Sequence, residues 1–109
     1  MMLTIAKNNP CVTLINVFTV EPQNQQKLIE VLSQATEEVM SRQPGYISAN
    51  IHKSLDGTKV TNYAQWRTKE DFEAMLKNPA AQKHMEAASR LAAKVEPYLY
   101  NVSYTDTIS

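Results

Sequence analysis

The segment Thr61-Asn62-Tyr63-Ala64-Gln65-Trp66 holds the side chains best suited to chemistry on a small molecule. Along a strand successive side chains alternate, so Asn62, Ala64 and Trp66 share one face, and Tyr63 and Gln65 the other. Val60 lies on the Asn62 face, which is therefore expected to meet whatever helices cover the sheet. A buried amide left without a partner costs about 1–3 kcal/mol. Two readings stay open. Asn62 and Trp66, two pleats apart over the small Ala64, line a cavity between sheet and helices; or Trp66 is plain core and Asn62 bonds a neighbouring main chain. Histidine changes charge nearest neutral pH, which makes His84 a candidate for moving a proton and, equally, a solvated residue at a helix's polar edge. Tyr46, Tyr63 and Tyr98 carry phenols, although strand tyrosines usually serve packing or interfaces. His52 sits on the polar side of a strand beside a hairpin. Cys11 has no basic residue at helical spacing to activate its thiol.

Other chemistries find no support. Two glycines among 109 residues could hardly build a phosphate-binding loop, and no His/Asp/Glu cluster has the spacing of metal ligands, so no metal is expected. Eleven basic and eleven acidic side chains leave no net charge, and nucleic-acid binders normally show a basic stripe. No apolar run approaches the ~20 residues of a membrane span, and no basic-then-apolar stretch opens the chain. One cysteine cannot form an internal disulfide. The expectation is a soluble, cytoplasmic protein with neither nucleic-acid nor membrane partners. Its length suits one domain able to bury roughly two-thirds of its unfolded surface. Zero net charge also leaves self-association unopposed.

These residues need elements to position them. Residues 1–11 read as an N-terminal arm and 12–109 as the domain. Val12–Val20 is rich in β-branched and aromatic types and has apolar groups in both alternate sets, which predicts a strand covered on both faces. Glu21-Pro22 breaks it, and Asn24 is the expected N-cap of a helix whose stripe is Leu28, Val31, Leu32, Ala35 and Val39. Glu30, Gln34, Glu37 and Glu38 fall mostly off that stripe, toward water, and Pro44-Gly45 ends the helix. Tyr46–Lys53 and Lys59–Trp66 are strands joined around Asp56-Gly57. Thr68 caps a helix bearing Phe72, Met75 and Leu76, with Asp71 as a weak capping-box partner. Pro79 opens a further helix with the stripe Ala81, Met85, Ala88 and Ala92. Pro97 ends that region, and Tyr98–Thr107 alternates as a last strand.

The order strand, helix, strand, strand, helix, strand is the ferredoxin-like βαββαβ pattern of the α+β class: a four-stranded antiparallel sheet with helices on one face. The helix-free face would carry Thr13, Ile15, Val17, Tyr63, Tyr98 or Leu99, too apolar for a wet surface. A two-fold homodimer, sheet against sheet, is the expected cover.

Val12–Val20, Pro44-Gly45-Tyr46, Asp56-Gly57-Thr58 and Asn62-Tyr63-Ala64-Gln65-Trp66 together resemble the antibiotic biosynthesis monooxygenase domain, over about Val12 to Thr105. The resemblance implies a dimeric α+β barrel that oxidises electron-rich phenols, dihydroquinones or anthrone-type polyketides with O2 as co-substrate and no metal, flavin or other cofactor. It implies that Asn62 and Trp66 match the Asn and Trp lining the cavity in quinone-forming members, with Asn16, Phe72, Met75 and Met85 binding substrate. Two positions depart from the family pattern: Phe72 stands where such members place a Tyr, and the Arg position falls near His84 or Met85. His84 is then the replacement for proton transfer. Haem-degrading members of the same superfamily use a first-strand Asn, a helical Trp and a helical His; Asn16 and His84 resemble two of these, while Met75 occupies the Trp position. A non-catalytic dimer binding a small apolar molecule is the alternative from another class.

Overall fold

The computed structural model describes Ile5 and residues 11–108. The expected arm over residues 1–11 lies outside the described residues except at Ile5 and Cys11, and Cys11 is buried. Nine segments of regular structure follow. Strand β1 (Val12–Thr19) leads through a short 3-10 turn to helix α1 (Gln25–Glu38), and a second 3-10 turn, Met40–Arg42, leads to β2 (Tyr46–Lys53) and β3 (Lys59–Trp66). Helices α2 (Lys69–Leu76) and α3 (Pro79–Leu91) precede β4 (Lys94–Tyr100). The sheet order is β2-β3-β1-β4, and every neighbouring pair is antiparallel. This is the expected ferredoxin-like arrangement.

The register decides which residues meet. Asn16 pairs with Asn62, Leu14 with Ala64 and Val12 with Trp66 across β1 and β3, so these side chains share the helix-covered face. Leu28 of α1, Val60 of β3 and Ala81 of α3 are fully buried. The core has two parts. One gathers Phe18, Val20, Leu28, Val60 and Ala88; the other gathers Val39, Trp66, Met75 and Ala81.

Local chemistry places the ends of the elements. Thr68 Oγ1 accepts from the Asp71 N–H at 3.0 Å, as expected of a cap. The Asp71 carboxylate, however, turns to Arg67 Nε at 3.2 Å. Asn78 Oδ1 accepts from the N–H groups of Ala80 and Ala81 at 2.9 and 3.2 Å, with Pro79 in the first helical turn. Gly45 (φ +84) lets the chain turn from α1 into β2, and a Cβ there would land on the Asp71 carboxylate. In the β2–β3 hairpin, Asp56 Oδ1 accepts from Ser54 Oγ (2.7 Å), Thr58 Oγ1 (2.7 Å) and the Thr58 N–H (3.0 Å), with Gly57 at φ +82.

Five expectations change. Asn24 makes no capping bond: it closes the Pro22–Asn24 turn, and it is the Gln25 amide that ties the start of α1 to the hairpin, donating to Ser54 O (3.1 Å) and Lys59 O (3.0 Å). Helix α1 stops at Glu38, before Pro44, because the Met40–Arg42 turn intervenes. Pro97 ends nothing; it sits inside β4, opposite Asn16. An edge strand pairs on one side only, so a proline there leaves no ladder donor missing. Residues 101–108 form no strand. Lastly, Leu99 pairs with Leu14 and belongs to the helix-covered face, whereas Tyr98 pairs with Ile15 on the other.

Candidate active site

A cavity of about 300 Å³ lies between the sheet and the helices. It is lined by members of both parts of the core, Phe18 and Leu32 among the first, Trp66 and Met75 among the second. Its walls are mostly apolar. All seven residues expected at a site, Asn16, Asn62, Trp66, Phe72, Met75, His84 and Met85, line it. They come from β1, β3, α2 and α3, and only the antiparallel register and the turn at Asn78-Pro79 bring them together.

The floor holds its polar groups. Asn16 Oδ1 and Asn62 Oδ1 are both buried and without a hydrogen-bond partner. They are direct cross-strand neighbours, a relation that sets Cβ atoms roughly 4.5–5.5 Å apart. Left without a partner, a buried amide oxygen costs about 1–3 kcal/mol. An amide oxygen can only accept, so the floor presents two acceptors to whatever enters the cavity.

Trp66 is only 2% exposed, both a core residue and a wall of the cavity. Its ring stands edge-on to Tyr46 (centroids 5.7 Å apart, planes at 88°) and to Phe72 (6.1 Å, 68°). Such edge-to-face contacts fix ring orientation as well as burying area. Tyr46 also lines the cavity, and burial pushes its phenol above the ordinary value, an effect partly offset by its hydrogen bond with the Ala49 backbone. The phenol therefore stays protonated at neutral pH.

Strict alternation conceals Tyr46. With an even number it should share a face with Ser48 and Asn50, yet it lines the same cavity as Ala49. A β-bulge between Tyr46 and Ser48 shifts the register there, pairing Tyr46 with Trp66 and Ser48 with Gln65, and so rotates Tyr46 inward. No sequence signal marks the extra residue.

His84 is neither fully solvated nor core: its side chain is 24% exposed and lines the cavity. Its Nε2 lies 3.8 Å from Glu38 Oε2 at the end of α1. The apolar stripe of α1 puts Glu38 toward water; the structure leaves it half-exposed, but facing His84 across the helix pair. The neighbouring stripe residue Val39 is the clue, since position 38 borders the buried face. Near β4, Val95, Pro97 and Tyr98 line the cavity while exposed, so it opens along that edge. Among the described residues no group of three His, Cys, Asp or Glu side chains is placed to hold a metal ion, and no helix is long and apolar enough to cross a membrane.

Comparison with known proteins agrees with this architecture. Tetracenomycin-F1 monooxygenase of Streptomyces glaucescens is 39% identical over 104 residues, 95% of this chain and 92% of its own length. The crystal structure of a monooxygenase from the gene ActVA-Orf6 of Streptomyces coelicolor, in complex with nanaomycin D, is similar with a TM-score of 0.82 at 27% identity, covering 93% of this chain and 95% of that one. SnoaB, a cofactor-independent oxygenase from Streptomyces nogalater, matches with a TM-score of 0.72 over 88% of this chain and 96% of its own; at 23% identity that likeness shows the fold. The family profile of the antibiotic biosynthesis monooxygenases matches residues 11–87. With that match spanning the Asn62–Trp66 segment and reaching all three cavity-lining helices, the chain belongs to the antibiotic biosynthesis monooxygenase family.

Proposed function

We propose that this protein is a cofactor-independent monooxygenase that oxidises a small electron-rich aromatic of the phenol, hydroquinone or anthrone type with O2. The observation that carries the reading is the pair of unpartnered acceptors, Asn16 Oδ1 and Asn62 Oδ1, on the floor of a mostly apolar cavity. A phenolic hydroxyl is the donor each lacks, and the apolar walls suit the ring. Support also comes from the relatives, two of which are described as monooxygenases and one as a cofactor-independent oxygenase.

The chemistry asks little more of the protein. An anthrone that loses a proton becomes an electron-rich anion able to reduce O2 itself. The methylene carbon of the anthrone then exchanges its two C–H bonds for one carbonyl double bond. One atom of O2 ends in that carbonyl, and the other leaves as water with the two hydrogens. The methylene carbon thereby supplies all four electrons that O2 accepts. Trp66 lies against the substrate ring, with Phe72, Met75 and Met85 completing the wall. The amide and indole N–H groups stabilise negative charge in a dry site, where fixed dipoles act most strongly. His84 takes the proton, in place of the Tyr and Arg of the family pattern. The haem reading finds less support: Met75 lacks the bulk of an indole, and His84 Nε2 is turned to Glu38.

The test is oxygen uptake by metal-free protein on a panel of dihydroquinones and anthrones. Uptake above the spontaneous rate is expected, falling on the order of a hundredfold in Asn62→Ala and less in Trp66→Phe. No uptake on any substrate would leave the second reading, a binding protein for the same ligand class, which the missing hydroxyl at Phe72 favours.

The working unit we propose is a homodimer formed through the helix-free sheet face, in the cytoplasm. Ile15 and Val17 lie on that face, and Tyr98 and Tyr100 are 63% and 47% exposed there, an apolar patch of the kind that marks an interface.

A further inference from the structure

We propose that Glu38, steadied by Gln34, is the positioning residue that equips His84 to take the substrate proton and release it to solvent. This rests on the monooxygenase reading above. Glu38 has two oxygens with different duties. Oε1 accepts from Gln34 Nε2 at 3.0 Å, one turn back on α1, and Oε2 faces His84 Nε2 on α3 at 3.8 Å. At that separation the two groups do not share a proton directly, and the carboxylate acts on the ring through space. Glu38 is 55% exposed and His84 24%, so the pair runs from the cavity wall to bulk water.

Other titratable groups around the cavity cannot do this work. Those lining it are Tyr46 on β2 and, at the open edge, Tyr98 on β4, whose side chain belongs to the helix-free face; the lining residues of β1, β3, α1 and α2 are apolar or neutral. A phenol is already protonated at neutral pH and has no capacity to accept a proton there. That leaves His84 as the base and Glu38 as the charge that faces it.

The carboxylate favours the tautomer with hydrogen on Nε2, and this leaves the Nδ1 lone pair as the base available to the cavity. In the step proposed, the O–H or acidic C–H bond of the substrate breaks, its electron pair stays on the substrate, and an N–H bond forms at Nδ1. The imidazolium lies against the Glu38 carboxylate. It loses its Nε2 proton to water on the exposed side, and the neutral ring then exchanges its remaining proton through water, returning to the Nε2–H tautomer that the carboxylate favours. No electrons are exchanged, so no further reactant is required.

Kinetics and nitrogen spectroscopy test this together. With 1,8-dihydroxyanthrone as substrate, Glu38→Leu should lower kcat on the order of tenfold while KM stays within about twofold, and Glu38→Asp should recover part of the loss. His84→Gln should lower kcat by roughly a hundredfold or more, and Glu38→Leu added to it should cost nothing further, since residues acting as a unit are not additive. Independently of turnover, two-bond nitrogen–proton spectra of the imidazole should show the Nε2–H tautomer in the unaltered protein and a mixture in Glu38→Leu. Additive kinetic losses, or a tautomer unchanged by Glu38→Leu, would overturn the proposal. Should the protein fail to oxidise any substrate, the monooxygenase reading falls, and the tautomer spectra still decide whether Glu38 positions His84.

Discussion

Asn62 and Asn16 set the cavity they line against the stability of the fold. A buried carbonyl oxygen without a partner works against folding, yet the chain places two of them side by side. Replacing one with an apolar group of similar size removes that penalty, here with a cavity to take up the extra bulk. Asn62→Leu is therefore expected to leave the thermal midpoint unchanged or raise stability by about 1 kcal/mol while abolishing turnover. Thermal unfolding and oxygen uptake on the same preparation check this; a destabilised variant would show that Asn62 supports the fold. The Asn62–Trp66 pair is legible in the chain because a strand's two-residue period needs no tertiary information. Tyr46 and Glu38 are not. The inward turn of Tyr46 depends on a bulge, and Glu38 matters only because α3 brings His84 opposite it.

At the scale of elements, turn chemistry makes distinct predictions for the two glycines. Both have positive φ, but a Cβ at Gly57 would meet Pro22 Cβ at a tolerable 3.5 Å, while one at Gly45 would collide with Asp71. Gly57→Ala should cost about 1 kcal/mol, the strain alone, and Gly45→Ala about 2–3 kcal/mol, in chemical denaturation. Equal costs would mean that the Asp71 contact relaxes freely. The hairpin adds a pH dependence. Three hydrogen bonds from Ser54 and Thr58 hold the Asp56 carboxyl down at about 2 from an ordinary 3.8. Its folded value is depressed, so its stabilising effect is present above pH ~4 and is lost as pH falls from there toward 2. Asp56→Ala should therefore be less stable than the unaltered protein at pH 7, with the gap closing by pH 2; denaturation midpoints across that range measure it. Strand β4 shows where local rules mislead. A proline after a helical stretch reads as a terminator, but at an edge strand its missing N–H is harmless.

Taken whole, the molecule buries one face of its sheet and leaves apolar groups on the other. A sheet-to-sheet dimer predicts that light scattering at micromolar concentration reports about twice the 12.3 kDa chain mass. Tyr98→Lys, which sets a charge opposite Ile15 in that interface, should shift the particle toward monomer. A monomeric unaltered protein would sink the dimer.

Element order, the buried stripes and the Asn62-to-Trp66 face are all readable from the chain, because strand and helix periods and turn residues act over a few positions. Register, the bulge at Tyr46 and the approach of Glu38 to His84 depend on how distant segments pack. A cavity is the space those segments fail to fill. No local pattern encodes that space, and so the cavity floor of paired asparagines emerges only from the assembled sheet.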